Sequence, residues 1–282
     1  MDLRQLSQQD VNRLLPARKQ DTHKGDYGKI LLLCGSRGYT GAATLAALGA
    51  LRSGSGLVYL AVPESIYAIE AVKLTEPVIL PLEDKDGTYA STAINSIKRL
   101  LIGKDAVLIG PGIGQSAGTE AVVRFVLETF DGPVVLDADG INIIAKHMDI
   151  LRSRTSPTIL TPHDGEYRRM GGILNDDRLT SAISFAKDHN SILLLKGHKT
   201  IITDSNVAYQ NPTGNPGMAT GGSGDVLAGM ITSLLGQGLP PLEAAACAAW
   251  LHGFAGDICA SEIGQYGMLP SDMLNVLPRL LP

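Results

Sequence analysis

Five short apolar runs, each ending in glycine or polar residues, constrain this chain most. They are KILLLCG (29–35), AVLIG (106–110), VVLDAD (134–139), PTILTPH (157–163) and SILLLKG (191–197). Runs that are apolar throughout suit strands buried on both faces, as in a parallel sheet. Around them lie segments with helical spacing: TGAATLAALGALRSGSG (40–56), STAINSIKRLLI (91–102), GTEAVVRFVLETF (118–130) and RLTSAISFAKDHN (178–190). LVYLAV (57–62) reads as another strand, and KTIITD (199–204) pairs with NVAYQN (206–211) across a turn at Ser205–Asn206. The alternation predicts an α/β fold with a mostly parallel central sheet and helices on both faces. No linker, repeat or low-complexity tract interrupts the 282 residues. One domain over 1–282 is expected, with 1–20 as a polar lead-in.

Composition narrows the function classes. Hydrophobic residues make up 44% of the chain but aromatics only 5%, which favours close-packed helices on a sheet over a β-sandwich. A net charge of −4 gives no electrostatic reason to expect nucleic acid. Cys34, Cys247 and Cys259 are odd in number, sit in apolar surroundings and lack CxxC spacing, so buried thiols in a reducing compartment are expected. The first twenty residues are too polar for a signal peptide, and no apolar run nears the ~18 residues of a membrane span. A cytoplasmic protein without a membrane partner is expected.

Ligands of such sheets collect beyond the carboxyl ends of the strands. CGSRGYTGA, GPGIGQ, LDADGIN, LTPHDGE and LKGHKT all follow strands, and together they describe one cleft. A second feature joins them. In GNPGMATGGSGDVLAGM (214–230), the apolar positions after Asp225 fall at helical spacing. This places Gly221, Gly222, Ser223 and Gly224 at a helix N-terminus, where free N–H groups and the dipole attract an anion. Asp225, in the first turn beside a bound phosphate, would have its pKa raised toward the general-base range.

Lys196 ends a buried strand, either as a snorkelling edge residue or as a phosphate ligand. His198 and Thr200 stand near enough to meet a phosphate or ribose. No GxxxxGK[ST] sequence occurs, so this is not a P-loop protein. His163 and Glu166 in TPHDGE lie on the same edge, which favours ligand contact over a plain surface role. Without a second His or Cys at ligand spacing a tight zinc site is not expected, whereas magnesium carried in with a nucleotide is compatible. GPGIG lacks GxGxxG spacing, and it reads either as a rest for a ligand or as tight packing; TGAA (40–43) is similar. Strand alternation predicts Asp137 and Asp139 on one side, either orienting the surroundings of a metal or capping a helix near Gly140.

Together GYTGAATLAALGALRSGSG, IGPGIG, LDADGIN, LTPHDGE, LLKGHKT, NPGMATGGSGDVLAG and YGMLPSDML resemble the ADP- or ATP-dependent NAD(P)H-hydrate dehydratases, from about residue 20 to the end. The resemblance implies a three-layer ribokinase-like sandwich. It implies dehydration of the S-epimer of hydrated NADH or NADPH back to the reduced cofactor, with ADP or ATP as co-substrate and Mg2+ held through the nucleotide near Asp137 and Glu166. Lys196, Gly197, His198, Lys199, Thr200 and Gly224 are implied to meet the adenine nucleotide. Ala42 or Ala43, Gly112, Gly114, His163 and Asp225 are implied to contact the hydrated nicotinamide nucleotide, with Asp225 as catalytic base. ADP is the expected donor, because family members without a fused epimerase resemble ADP users; the epimerase is expected as a separate protein. A homo-oligomer is expected, and LEAAACAAWLHGFAGDICA (242–260) reads as an interior helix in preference to an interface. Two rivals are a ribokinase-like kinase of a sugar or vitamin precursor and a nucleotide-binding protein without turnover. TPHDGE and TGAA favour the dehydratase, since they match the acceptor side.

Overall fold

The computed structural model describes residues 3–15 and 17–282. Its strands are β1 (Leu3–Arg4), β2 (Lys29–Leu33), β3 (Leu57–Pro63), β4 (Val78–Leu82), β5 (Asp84–Lys85), β6 (Thr88–Tyr89), β7 (Ala106–Ile109), β8 (Val134–Leu136), β9 (Thr158–Leu160), β10 (Ile192–Leu195), β11 (Ile201–Thr203) and β12 (Ala208–Gln210). The first six helices are α1 (Gln8–Leu14), α2 (Thr40–Arg52), α3 (Glu64–Lys73), α4 (Ile94–Leu100), α5 (Ala117–Thr129) and α6 (Asp139–Ile144). The others are α7 (Met148–Ser153), α8 (Asp164–Arg169), α9 (Arg178–Asp188), α10 (Ser223–Gly236), α11 (Pro241–Ile263) and α12 (Pro270–Val276).

Ten strands form one sheet in the order β1-β12-β11-β10-β9-β8-β7-β2-β3-β4. The seven from β10 to β4 are mutually parallel, as the apolar runs read from the sequence predict for all of them but β4. β11 reverses direction, and the expected hairpin forms with Thr203 opposite Ala208. Its turn is held by Asp204, whose Oδ1 accepts from the backbone N–H of Asn206 and of Val207, both at 2.8 Å. Side chains along β2 alternate between two cores. Ile30 and Leu32 face the layer of α2, α10, α11 and α12, while Leu31 and Leu33 face the layer that includes α5 and α9. Cys34, Cys247 and Cys259 are free and buried. α11 carries buried residues along most of its length, so it is an interior helix. Among the described residues no helix is long and apolar enough to cross a membrane.

The layer with α10 is meshed at backbone level. A Cβ at Gly229 would overlap the Ala46 carbonyl oxygen, and one at Gly49 would come within 2.5 Å of the Val226 carbonyl oxygen. The glycines of α2 and α10 therefore let these two helices touch where any side chain would hold them apart.

Three regions differ from expectation. The polar lead-in is built into the fold: β1 extends the sheet beside β12, and α1 starts in a Ser7–Asp10 capping box and buries Val11. α3 and β4, unmarked in the sequence, complete one edge. β4 is half-exposed and contains Pro81, which an edge strand tolerates on its unpaired side. Finally, β8 stops at Leu136. Ala138 takes φ 49° and ψ −116°, and α6 begins at once with Asp139. Strand alternation therefore does not apply to Asp137 and Asp139, and their carboxylates bond to different parts of the cleft.

Candidate active site

The five polar strand ends belong to five neighbouring strands, β10, β9, β8, β7 and β2. From β2 the chain order runs outward to β3 and β4 on one side. On the other it runs through β7, β8, β9 and β10, so the β2–β7 boundary is the switch point at which α/β sheets bind ligands. Here the loops interlock. The Gly35 N–H donates to the Pro111 carbonyl at 2.8 Å, and a Cβ at Gly110 would overlap the Asp137 carbonyl oxygen. A separate cavity of about 260 Å3, lined by Arg18, Arg52, Leu234 and Gln237 among others, lies at the far end of α10. A helix of that length separates it from the strand ends by roughly 20 Å.

One charged cluster occupies the β8–β10 side of the cleft. The Lys196 ammonium donates to Asp137 Oδ1 at 2.8 Å and lies 3.8 Å from Glu166 Oε2. The Thr161 hydroxyl donates to the same Asp137 oxygen at 2.8 Å. Burial would lower the Lys196 pKa, but the carboxylates of Asp137, Glu166 and Asp225 outweigh it and hold the lysine above its ordinary value. Over this pair stands the start of α10. A Cβ on Gly224 would lie 3.4 Å from Lys196 Nζ and 3.6 Å from Asp137 Oδ2, so that glycine faces the ion pair. Gly222 is the N-cap in left-handed conformation, φ 98°, where a Cβ would collide with Leu45; Gly221 faces open space.

Asp225 follows in the first turn. Its pKa is raised from 3.8 to about 6, first by burial and then by the Asp137 charge, with Lys196 pulling the other way. Burial and Asp137 alone suffice for this rise, without a neighbouring phosphate charge. Among the described residues no group of three or more His, Cys, Asp or Glu is placed to hold a metal ion.

The facing side of the cleft is built from glycines, alanines and one histidine. Ala43 is fully buried, and a Cβ at Gly35 would come within 2.8 Å of it; Ala42 is part-exposed and faces Gly112. His163 is the N-cap of α8. Its Nδ1 accepts from the Gly165 and Glu166 N–H groups at 2.9 and 3.3 Å, while the His163 backbone N–H donates to Glu166 Oε2 at 2.9 Å. With Nδ1 so used, Nε2 is left as the ring's outward nitrogen, 3.5 Å from Glu166 Oε1.

Glycines that cap a helix over a Lys–Asp pair, and an acid of raised pKa at its first turn, fit transfer of a phosphoryl group. Residues 30–279 match the family model described as NAD(P)H-hydrate dehydratase. The chain belongs to that family. It is 44% identical over 274 residues to a bifunctional NAD(P)H-hydrate repair enzyme of Moorella thermoacetica, covering 95% of this chain and 52% of that protein. The chain thus spans about half the length of such bifunctional relatives. It is 34% identical to an ADP-dependent (S)-NAD(P)H-hydrate dehydratase of Listeria monocytogenes, over 95% of this chain and 92% of that one. The ADP/ATP-dependent NAD(P)H-hydrate dehydratase of Bacillus subtilis, co-crystallised with ATP/Mg2+, superposes with a TM-score of 0.84 at 33% identity, over 99% of this chain and 98% of that one. The fold is ribokinase-like.

Within this dehydratase family member, several expected site residues have local duties as well. Ser223 Oγ donates to the Met218 carbonyl at 2.8 Å, which turns the hydroxyl back toward its own loop. The Thr200 hydroxyl closes the 197–200 turn on the Gly197 N–H and carbonyl at 3.2 and 3.0 Å. His198 and Lys199 are exposed on that turn, away from the ion pair at its start. Neither Asp137 nor Asp139 caps a helix, which corrects one of the two sequence readings: Asp137 is held by Lys196 and Thr161, Asp139 by the GPGIG loop.

Other supporting residues carry no motif. Asp257 on α11 accepts from the Gly214 N–H at 2.9 Å and from Asn215 Nδ2 at 3.0 Å, tying the glycine-rich loop to the core. Arg178 donates to the Lys196 carbonyl at 2.6 Å and pairs with Asp164 at 2.7 Å. His252 lies buried against the Ser223 backbone; burial lowers its pKa to about 4, so it is neutral.

Proposed function

We propose that the chain dehydrates the S-epimer of hydrated NADH and NADPH, using ADP, or ATP in its place, and releasing AMP or ADP with inorganic phosphate. The observation that carries the reading is Asp225: an acid poised near pH 6 in the first turn of α10, one residue from the glycine that faces the Lys196–Asp137 pair. An acid with that pKa is largely ionised at neutral pH and still basic enough to take a proton.

Hydroxide is a poor leaving group, so the substrate hydroxyl must be activated. Asp225 takes its proton while the oxygen attacks the terminal phosphorus of the nucleotide. The phosphorus–oxygen bond to AMP (or ADP) breaks as the new one forms. N–H groups at Gly221–Gly224 and the Lys196 ammonium stabilise charge on the phosphoryl group in transit. The ring nitrogen's lone pair then expels phosphate from carbon. Loss of a proton from the neighbouring ring carbon restores the double bond and the reduced cofactor.

In this reading the Lys196–Thr200 turn and Gly224 hold the adenine nucleotide. Ala42, Gly112, Gly114 and His163 hold the hydrated nicotinamide nucleotide. Magnesium fits the donor set: Asp137 Oδ2, which faces Gly224, and the Glu166 carboxylate are hard oxygen ligands beside the phosphate position. When bound with the nucleotide it would neutralise phosphate charge. The R-epimer would have to be converted by an epimerase activity. The setting proposed is the cytoplasm. Exposed Ile69 and Val72 on α3, with Val78 on the sheet's edge strand, support a homo-oligomer.

The test is recovery of reduced-nicotinamide absorbance when purified protein is given hydrated NADPH with ADP, ATP or no nucleotide. Recovery with nucleotide alone supports the reading. Nucleotide consumption without recovery would point to a kinase of another acceptor.

A further inference from the structure

Ala138 joins the two sides of the cleft through a strained turn. Its φ of 49° and ψ of −116° are unfavourable for a residue with a side chain, typically by about 1–3 kcal/mol. Through this turn, adjacent carboxylates serve opposite sides: Asp137 holds Lys196, and Asp139 reaches the GPGIG loop. Asp139 Oδ2 accepts from the Gly114 N–H at 2.9 Å, and Oδ1 accepts from Gln115 Nε2 at 3.0 Å. Oδ1 also accepts from Asn142 Nδ2 at 3.4 Å, and Asn142 Oδ1 accepts from Arg169 Nε at 2.8 Å. Arg169 ends α8, the helix that His163 caps.

A single carboxylate thus connects the glycine turn to the helix that presents His163. Gly112 and Gly114 both have left-handed φ, 64° and 73°, and glycine backbone in that region is intrinsically free to change. A charge-assisted bond to the Gly114 N–H fixes it. We infer that Asp139 is the positioning residue of the acceptor subsite, holding GPGIG at a set distance from His163 so that both grip the hydrated nicotinamide nucleotide. The inference rests on the dehydratase reading and adds to it a residue that touches neither phosphate nor ring.

Binding of NADPH, the reaction product, is followed by its own fluorescence, and ADP binding by calorimetry. Asp139→Ala should weaken NADPH binding and raise the KM for hydrated NADPH about tenfold, with kcat and ADP affinity changed by less than about threefold. Asp139→Asn, which keeps an acceptor oxygen, should fall between Asp139→Ala and wild type. Equal NADPH binding by a folded Asp139→Ala protein overturns the inference, and so does a matching loss of ADP binding, which would mark general collapse of the turn. If Asp139→Ala does not fold, Gln115→Ala and Asn142→Ala each remove one bond to the carboxylate, and each should weaken NADPH binding about threefold. No weakening in either overturns it as well. Wild-type protein that binds neither NADPH nor its hydrate would overturn the dehydratase reading and this inference together. A wild type that binds, matched by its variants, overturns the inference alone.

Discussion

Replacing Asp225 with asparagine should cut turnover by orders of magnitude and make the folded protein more stable at alkaline pH. Burial and the Asp137 charge raise this carboxyl from 3.8 to about 6, so the folded state disfavours its ionised form. The rise corresponds to about 3 kcal/mol. The sign follows from proton binding: between pH 4 and 6 the folded protein holds a proton that the unfolded chain has lost, so this group's contribution to stability falls as pH rises. The penalty is complete above pH 6 and shrinks to under about 1 kcal/mol near pH 4. Asparagine does not ionise and escapes it. Thermal or urea unfolding at pH 8 should therefore favour Asp225→Asn by up to about 3 kcal/mol, about 5 °C at most in Tm for a chain of this size. The advantage should vanish toward pH 4. In the same variant kcat should drop about 100- to 10,000-fold, the usual contribution of a general base. Wild-type kcat/KM should show an acid limb near pH 6. Equal stability of the two proteins at pH 8 would refute a desolvated carboxylate, and near-wild-type turnover would remove Asp225 as the base.

Lys196→Met removes the positive charge that opposes the rise at Asp225; the acid limb of kcat/KM should move up by about one pH unit, and calorimetry should find ADP affinity at least about tenfold weaker. Gly224→Val puts branched carbon where a Cβ already reaches within 3.4 Å of Lys196 Nζ. It should weaken ADP binding about tenfold, and an unchanged dissociation constant would move the phosphates away from this turn. Gly229→Ala sets a methyl against the Ala46 carbonyl; a loss of about 1–3 kcal/mol in urea denaturation is expected, and no loss would mean that α2 and α10 slide apart freely.

The central strands are legible because the physics leaves little choice. β2, β7 and β10 are buried on both faces, so nearly every residue is apolar. β4 escaped notice for a different reason: its VILPL run is broken by a proline, and as an edge strand it buries only Leu82 fully. The strand end at Asp137 misled because nothing in L-D-A-D-G announces that an alanine will adopt positive φ. The His163 cap could have been found. Glu166 three residues on completes a capping box, although histidine is not among the usual capping residues. Asp257 had no sequence signal at all, since its partner Gly214 is 43 residues distant and only the packing of α11 brings them together.

Since α2 and α10 mesh backbone to backbone, the separation between the alanines at the start of one and the glycines at the start of the other is set by main chain alone. Side chains around the rim can then drift while the span between the two helix ends stays constant. Such a scaffold tolerates changes in the rim loops without disturbing the spacing of the two helix ends.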